Sequence, residues 1–148
     1  MKFSITLFLM ELNIAALFDA QPTSLHSMLQ WIDTQLKGSG LSDKEIDKVE
    51  LALEETLTNI ISYAYRDNKG IIEIKYRLKP KKFVEFIIKD RGCPFNPLKY
   101  HTAQKPATSL EEREEGGLGI LFIKNLVSTV EYTRFHKMNI LKLVKVFK

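Results

Sequence analysis

The sequence predicts an α/β fold: a two-layer sandwich in which a mixed, mainly antiparallel sheet carries its helices on one face. The composition is that of a globular domain, with 45% hydrophobic and 27% charged residues. Apolar residues recur at helical spacing in three segments and alternate with polar ones in several others. The strand-like segments follow one another as hairpins, which favours antiparallel pairing with the helices packed on one side.

Length, charge and cysteine content limit the functional classes. A chain of 148 residues predicts a single domain over residues 1–148. The net charge of +4 is spread along the chain, so we expect neither direct nucleic-acid binding nor a membrane partner. Cys93 is the single cysteine, which excludes an intrachain disulfide and makes a reducing cytoplasm the default expectation.

Residues 3–10 are predicted to form the first strand. Phe3, Ile5 and Leu7 alternate with small polar residues, as on a pleated strand. A signal peptide is the alternative, because Lys2 precedes the apolar run. The run is far shorter than the roughly 20 residues that a membrane-spanning helix needs.

Two helices are predicted next. The first begins near Leu25 and ends at the glycines Gly38 and Gly40. The second begins at Ser42, which forms a capping box with Glu45. Its apolar stripe consists of Ile46, Val49, Leu53, Leu57, Ile60 and Ala64.

The rest of the chain is predicted to contain a hairpin, a lid, a third helix and two final strands. The hairpin strands cover residues 72–78 and 83–89, with one charged face toward water. Residues 92–117 lose all periodicity, which is typical of either a disordered segment or a functional lid. We place the lid at about 96–116. The helix covers residues 118–127, and the strands cover 129–135 and 139–147 with a turn at His136 and Lys137.

The second helix carries the first candidate site. Glu55 and Asn59 lie one turn apart on the side opposite the apolar stripe, so they can act together. A carboxylate and an amide at this spacing suit a hydrated Mg²⁺ ion, which prefers oxygen ligands. The alternative is an ordinary solvated helix face that also carries Lys48 and Ser62.

The second candidate is the segment 90–95, Asp-Arg-Gly-Cys-Pro-Phe, at the end of an apolar strand. Asp90 can accept a hydrogen bond from an exocyclic amine, and Gly92 lets a flat ring approach the backbone. The alternative is turn chemistry after a strand. The third candidate is Gly116-Gly117-Leu118-Gly119, which opens the third helix and can offer backbone N–H groups to a phosphate.

In this order, the three segments resemble the nucleotide-binding boxes of the GHKL ATPase superfamily. The strings LALEETLTNIISYAY, DRGCPFNP and GGLGILFIKNLVSTVEY are most similar to the branch of bacterial anti-sigma factors and switch-protein serine kinases. The resemblance implies the GHKL ATP-binding fold, with ATP and Mg²⁺ as cofactors. It also implies a serine kinase that binds a sigma-type transcription factor and phosphorylates an antagonist protein, and homodimers are common in this branch.

The resemblance further implies a role for each motif residue. Glu55 would be the general base, Asn59 the Mg²⁺ ligand and Asp90 the reader of adenine. Arg113 would be a phosphate contact from the lid. The nucleotide-binding set would comprise Asn59, Asp90, Gly92, Pro94, Phe95, Gly116, Gly117, Leu118 and Gly119.

The chain departs from the family pattern at two places. Tyr63 stands where the family usually has histidine, and Glu114 and Glu115 stand where many members carry a basic residue. These departures leave open a nucleotide-gated protein-binding module without phosphotransfer. A stand-alone histidine-kinase-like catalytic domain, acting on a partner chain, is the other alternative.

Overall fold

A five-stranded sheet with three helices forms the framework of the computed structural model, which describes residues 11–65, 69–99 and 117–148. The elements in chain order are β1 (Leu12–Asp19), α1 (Leu25–Lys37), α2 (Asp43–Asn59), β2 (Ile71–Lys79), β3 (Phe83–Asp90), α3 (Gly117–Leu126), β4 (Thr129–Phe135) and β5 (Met138–Val146).

The strands lie in the order β1-β2-β3-β5-β4, and every pairing among the described strands is antiparallel. The sequence-based fold class is therefore confirmed, with no parallel pair in this part of the chain. The final hairpin inserts β5 beside β3, so Asn139 lies directly opposite Asp90. This long-range pairing decides the composition of the candidate site.

One hydrophobic core lies between the sheet and the helices. Alternate side chains of β2, namely Ile72, Ile74, Tyr76 and Leu78, face this core and are buried. Helix α2 packs against α1 on one side and against α3 on another. The opposite face of the sheet is polar, and there Arg77 forms a two-pronged ion pair with the buried carboxylate of Glu85.

The helix boundaries follow the predicted signals. The Ser42 hydroxyl accepts a hydrogen bond from the Glu45 backbone N–H at 3.3 Å, as the capping box requires. Helix α2 ends at Asn59, and the chain continues directly into a π-helical turn, Ile60–Tyr65. A π turn widens the helix and is frequent at functional sites.

Two predictions fall wholly or largely outside the described residues. The strand predicted at residues 3–10 lies outside the described residues, and β1 begins later, at Leu12. The lid at about 96–116 stays a prediction; near its start, Pro97 and Leu98 are buried in a short 3-10 turn, Pro97–Lys99, that contacts α3. Residues 100–116 lie outside the described part. Among the described helices, none is long and apolar enough to cross a membrane.

Candidate functional site

Glu55 and Asn59 are buried, contrary to the solvated-face interpretation. Glu55 is 7% exposed, and Asn59 has no exposed surface. Helix α2 is therefore covered on two sides, and the residues of its second half that face solvent are Leu51 and Glu54. Burying a carboxylate and an amide costs free energy unless they have polar partners, so their placement is typical of a functional site.

The two side chains face each other along the helix. The Asn59 amide nitrogen lies 3.5 Å from Oε1 of Glu55, at the limit of a hydrogen bond. This contact turns the amide oxygen of Asn59 away from the carboxylate. A cation could reach that oxygen only if the packing over this side of α2 opens, because Asn59 is fully enclosed.

Asp90 ends β3 and is 3% exposed. One carboxylate oxygen, Oδ1, accepts two hydrogen bonds at 2.9 Å, from the Gly92 backbone N–H and from the Asn139 side-chain amide. The other oxygen, Oδ2, is buried and has no hydrogen-bond partner within the described residues. An unpaired buried acceptor is expensive in free energy, and a ligand that brings an N–H donor would remove that cost.

The pKa of the Asp90 carboxyl group is raised above its ordinary value, because burial outweighs the effects that favour the ionised form. Burial raises the pKa of its carboxyl group, whereas the hydrogen bonds from Asn139 and Gly92 and the charge of Arg134 act in the opposite direction. The Tyr65 hydroxyl also favours the ionised form. The same hydroxyl lies 3.4 Å from the Ile71 carbonyl oxygen and accepts a hydrogen bond from the Arg91 backbone N–H at 2.9 Å.

Gly92 allows a close contact between the loop after β3 and the Ala64 carbonyl oxygen. A Cβ at this position would lie 2.7 Å from the Ala64 carbonyl oxygen and 3.0 Å from Oδ1 of Asp90. The missing side chain therefore lets the loop approach the end of the π turn. The prediction that Gly92 admits a flat ring to the backbone stays untested.

The loop after β3 is attached to the end of the helix that carries Glu55 and Asn59. The Cys93 backbone N–H donates to the Ala64 carbonyl oxygen at 3.1 Å. The ring of Phe95 stacks on that of Tyr63, with centroids 5.3 Å apart. Tyr63 thus packs against the Asp90 loop. The second candidate motif is therefore fixed to the π turn that follows the first.

The third motif is only partly described. Gly117 begins α3, Leu118 and Gly119 lie in its first turn, and α3 packs against α2. Helix N-termini favour anions because their first N–H groups are unpaired. Gly116 and Arg113 lie outside the described residues, as do Glu114 and Glu115. Pro94 is exposed on the loop between Cys93 and Phe95.

Sequence reasoning missed three polar residues of the final hairpin. Asn139 is 3% exposed, and its oxygen accepts from the Tyr132 hydroxyl at 2.6 Å and from the Arg134 guanidinium at 3.0 Å. Arg134 also donates to the Gly92 carbonyl oxygen at 2.9 Å. No local pattern announces these residues, because they reach Asp90 only through the β3–β5 pairing.

The donor chemistry of Glu55 and Asn59 fits Mg²⁺. Glu55 and Asn59 supply oxygen atoms, the type that Mg²⁺ prefers. In the described ranges, no three His, Cys, Asp or Glu side chains are grouped as metal ligands. Glu55 and Asn59 are therefore the described side chains that could contribute to holding such an ion.

Comparison with known proteins gives a consistent result. The family described as "Histidine kinase-like ATPase domain" matches residues 18–145. The serine-protein kinase RsbW of Oceanobacillus iheyensis is 32% identical over 96 residues. That of Staphylococcus aureus strain MSSA476 is 29% identical over 100 residues. Each alignment covers 62% of this chain and 60% of the relative.

A solved structure has a similar fold. It is the crystal structure of the RsbU and RsbW domains of Rv1364c from Mycobacterium tuberculosis, with a TM-score of 0.64 and 16% identity. The match covers 91% of this chain and 32% of that chain. The low identity means that this likeness supports the fold alone.

Proposed function

Because the chain belongs to the histidine kinase-like ATPase domain family, as its motifs predict, we propose that it binds ATP with Mg²⁺ and transfers phosphate to a serine of a protein partner. The family match covers residues 18–145, which include Glu55, Asn59, Asp90 and the glycines of α3. Relatives named serine-protein kinase support the reaction class. The chain spans 60% of the length of those relatives, so activity and partners are part of this proposal.

The single observation that supports nucleotide binding most strongly is the unpaired Oδ2 of Asp90. It is a buried acceptor, and Oδ1 already holds two donors. Adenine offers its exocyclic amine to such an acceptor, whereas guanine presents a carbonyl oxygen at the same position. Asp90 therefore selects adenine, with Gly92 and Phe95 forming the adjoining loop.

Asn59 is the proposed protein ligand of Mg²⁺. When bound, the ion would neutralise phosphate charge. We expect Asn59→Ala to lose most of the Mg²⁺-dependent part of ATP and ADP affinity, roughly 1 to 3 kcal/mol for a contact to a charged group. Titration calorimetry with and without Mg²⁺ measures this. Asn125→Ala, which changes an exposed asparagine on α3, is the matched control, and an unchanged metal dependence in Asn59→Ala would exclude Asn59 as ligand.

Glu55 is the proposed general base of phosphotransfer. The serine hydroxyl oxygen forms a bond to the γ-phosphorus, the bond from that phosphorus to the β,γ-bridging oxygen breaks, and ADP leaves. The serine proton passes to the Glu55 carboxylate. The contact from the Asn59 amide to Oε1 orients that carboxylate. The backbone N–H groups at the start of α3, from Gly117 to Gly119, would hold the phosphates.

A Glu55→Gln variant separates binding from chemistry. The neutral amide keeps the shape but cannot accept the proton, so ATP should bind within a few-fold of the parent. Phosphotransfer to the partner should be slower by about 100-fold or more, the scale of a lost general base. Glu54→Gln, an exposed neighbour, should transfer at the parental rate. A parental rate in Glu55→Gln would remove Glu55 from this role.

The partners follow from the resemblance to the anti-sigma branch: a sigma-type transcription factor and an antagonist protein that carries the target serine, in the cytoplasm. A homodimer belongs to the same proposal. A pull-down with and without ATP·Mg²⁺, followed by phosphosite mapping of the retained proteins, tests it. Retention that depends on nucleotide but yields no phosphoserine would favour the nucleotide-gated binding module instead.

A further inference from the structure

We propose that Asn139 is a positioning residue for adenine recognition: its side-chain amide holds Oδ1 of Asp90 so that Oδ2 stays available for the 6-amino group of the base. This inference rests on the proposed ATP binding. Asn139 is not part of any of the three sequence motifs. It reaches the site from β5, where it is the direct antiparallel partner of Asp90.

The direction of the Asn139 amide is determined by its neighbours. Its oxygen is surrounded by three donors: the Tyr132 hydroxyl at 2.6 Å, the Arg134 guanidinium at 3.0 Å and the Phe95 backbone N–H at 3.3 Å. A flipped amide would place its NH₂ group against two groups that can only donate, those of Arg134 and Phe95, and its oxygen against the acceptors of Asp90 and Cys93, so this orientation is excluded by hydrogen-bond chemistry. The NH₂ group must therefore face Asp90.

Both amide hydrogens are then used. One is donated to Oδ1 of Asp90 at 2.9 Å and the other to the Cys93 carbonyl oxygen at 2.9 Å. The Gly92 N–H is the second donor to the same carboxylate oxygen. Oδ1 is thus saturated and the carboxylate cannot rotate without losing both bonds. The free acceptor position is confined to Oδ2, which is buried.

The same network fixes the loop that borders the base. Asn139 contacts the backbone of Cys93 and Phe95, and Arg134 contacts the Gly92 carbonyl oxygen. Phe95 in turn stacks on Tyr63. If Asn139 had only a structural role, its substitution would weaken the binding of all nucleotides equally. A positioning role affects only the contribution of the 6-amino group, and this difference can be measured.

The experiment compares ATP with purine riboside 5′-triphosphate, which lacks the 6-amino group. Dissociation constants are measured by calorimetry for the full chain and for Asn139→Asp, which keeps the size but replaces the donor with an acceptor. In the parent, we expect ATP to bind about tenfold or more tightly than the analogue, as for a hydrogen bond to a charged group. In Asn139→Asp this ratio should fall below about twofold, since Asp90 loses its donor.

Two further variants keep the test decisive if Asn139→Asp folds poorly. Tyr132→Phe removes one donor to the Asn139 oxygen and keeps the ring, so the ratio should fall by about threefold, a modest loss for one neutral hydrogen bond. Tyr76→Phe removes a buried hydroxyl that bonds the Gln35 carbonyl oxygen elsewhere in the core, and should leave the ratio at the parental value.

The outcomes separate this inference from the proposed function. A parental ratio in both Asn139→Asp and Tyr132→Phe would overturn the positioning role while leaving ATP binding intact. A ratio near one in the parent would also overturn it. If the parent binds neither triphosphate, the proposed function itself is wrong. A ratio that falls in the order parent, Tyr132→Phe, Asn139→Asp supports the role.

Discussion

At the scale of single residues, the candidate site depends on close packing between the loop after β3 and the end of the π turn. Gly92 sits where a methyl group would overlap the Ala64 carbonyl oxygen, at 2.7 Å. That oxygen also accepts the Cys93 N–H. A side chain at residue 92 therefore displaces the loop that holds Asp90 and Phe95, so one substitution affects both stability and the ligand contacts.

We expect Gly92→Ala to lower the free energy of unfolding by about 1 to 3 kcal/mol, the range for overpacking, and to weaken ATP binding. Urea unfolding and calorimetry measure the two effects. Gly38→Ala is the matched control, because a Cβ there would lie at an ordinary 3.6 Å from the nearest atom. Equal stability of the two variants would show that the loop tolerates a side chain at residue 92.

At the scale of elements, α1 and α2 meet through a cluster of charged side chains. Asp33 of α1 forms an ion pair with Lys37 at 2.7 Å and also contacts Glu50 of α2. Burial, together with the hydrogen bond to Asp33 and its negative charge, raises the pKa of Glu50 to about 7. The pKa of Asp33 is instead lowered, by its hydrogen bonds with Lys37 and with Glu50, so the protonated carboxyl group is that of Glu50.

This interface predicts a pH dependence of stability. The folded-state pKa of Glu50, about 7, lies above the ordinary value of 4.5. The contribution of protonated Glu50 to the free energy of unfolding is therefore fully present below pH 4.5 and is lost as the pH rises through 7. The free energy of unfolding should decrease over that window, and Glu50→Gln should flatten the decrease. Urea titrations between these limits measure it, with the exposed Glu131→Gln as control. A slope unchanged by Glu50→Gln would contradict the interpretation.

Local sequence signals predicted most of the elements and part of the site. The Ser42 cap, the stripe of α2 and the alternation in β2 each reflect contacts between near neighbours in the chain, and all three are confirmed. The burial of Glu55 and Asn59 could not be predicted, because it depends on segments from elsewhere in the chain that pack against α2, among them α3. Asn139 was missed for the same reason: its partner Asp90 is 49 residues away in sequence.

At the scale of the whole molecule, the fold brings together segments that are far apart in the chain. The β3 loop is attached to the end of α2's π turn through Cys93 and Ala64, and α3 packs against α2. A nucleotide that contacts Asp90, Asn59 and the start of α3 would link all three. Ligand binding to the folded state alone should therefore stabilise the entire domain, by about 2.7 kcal/mol at a concentration roughly 100 times the dissociation constant.

The most direct test of the central claim is a calorimetric titration of the full chain with ATP and with GTP, both in excess Mg²⁺. Because Oδ2 of Asp90 is a buried acceptor, we predict saturable binding of ATP and at least tenfold weaker binding of GTP, about the range for mismatching a hydrogen bond to a charged group. Equal affinities would contradict the assignment of Asp90 as the reader of adenine, and the absence of ATP binding would contradict the proposed function as a whole.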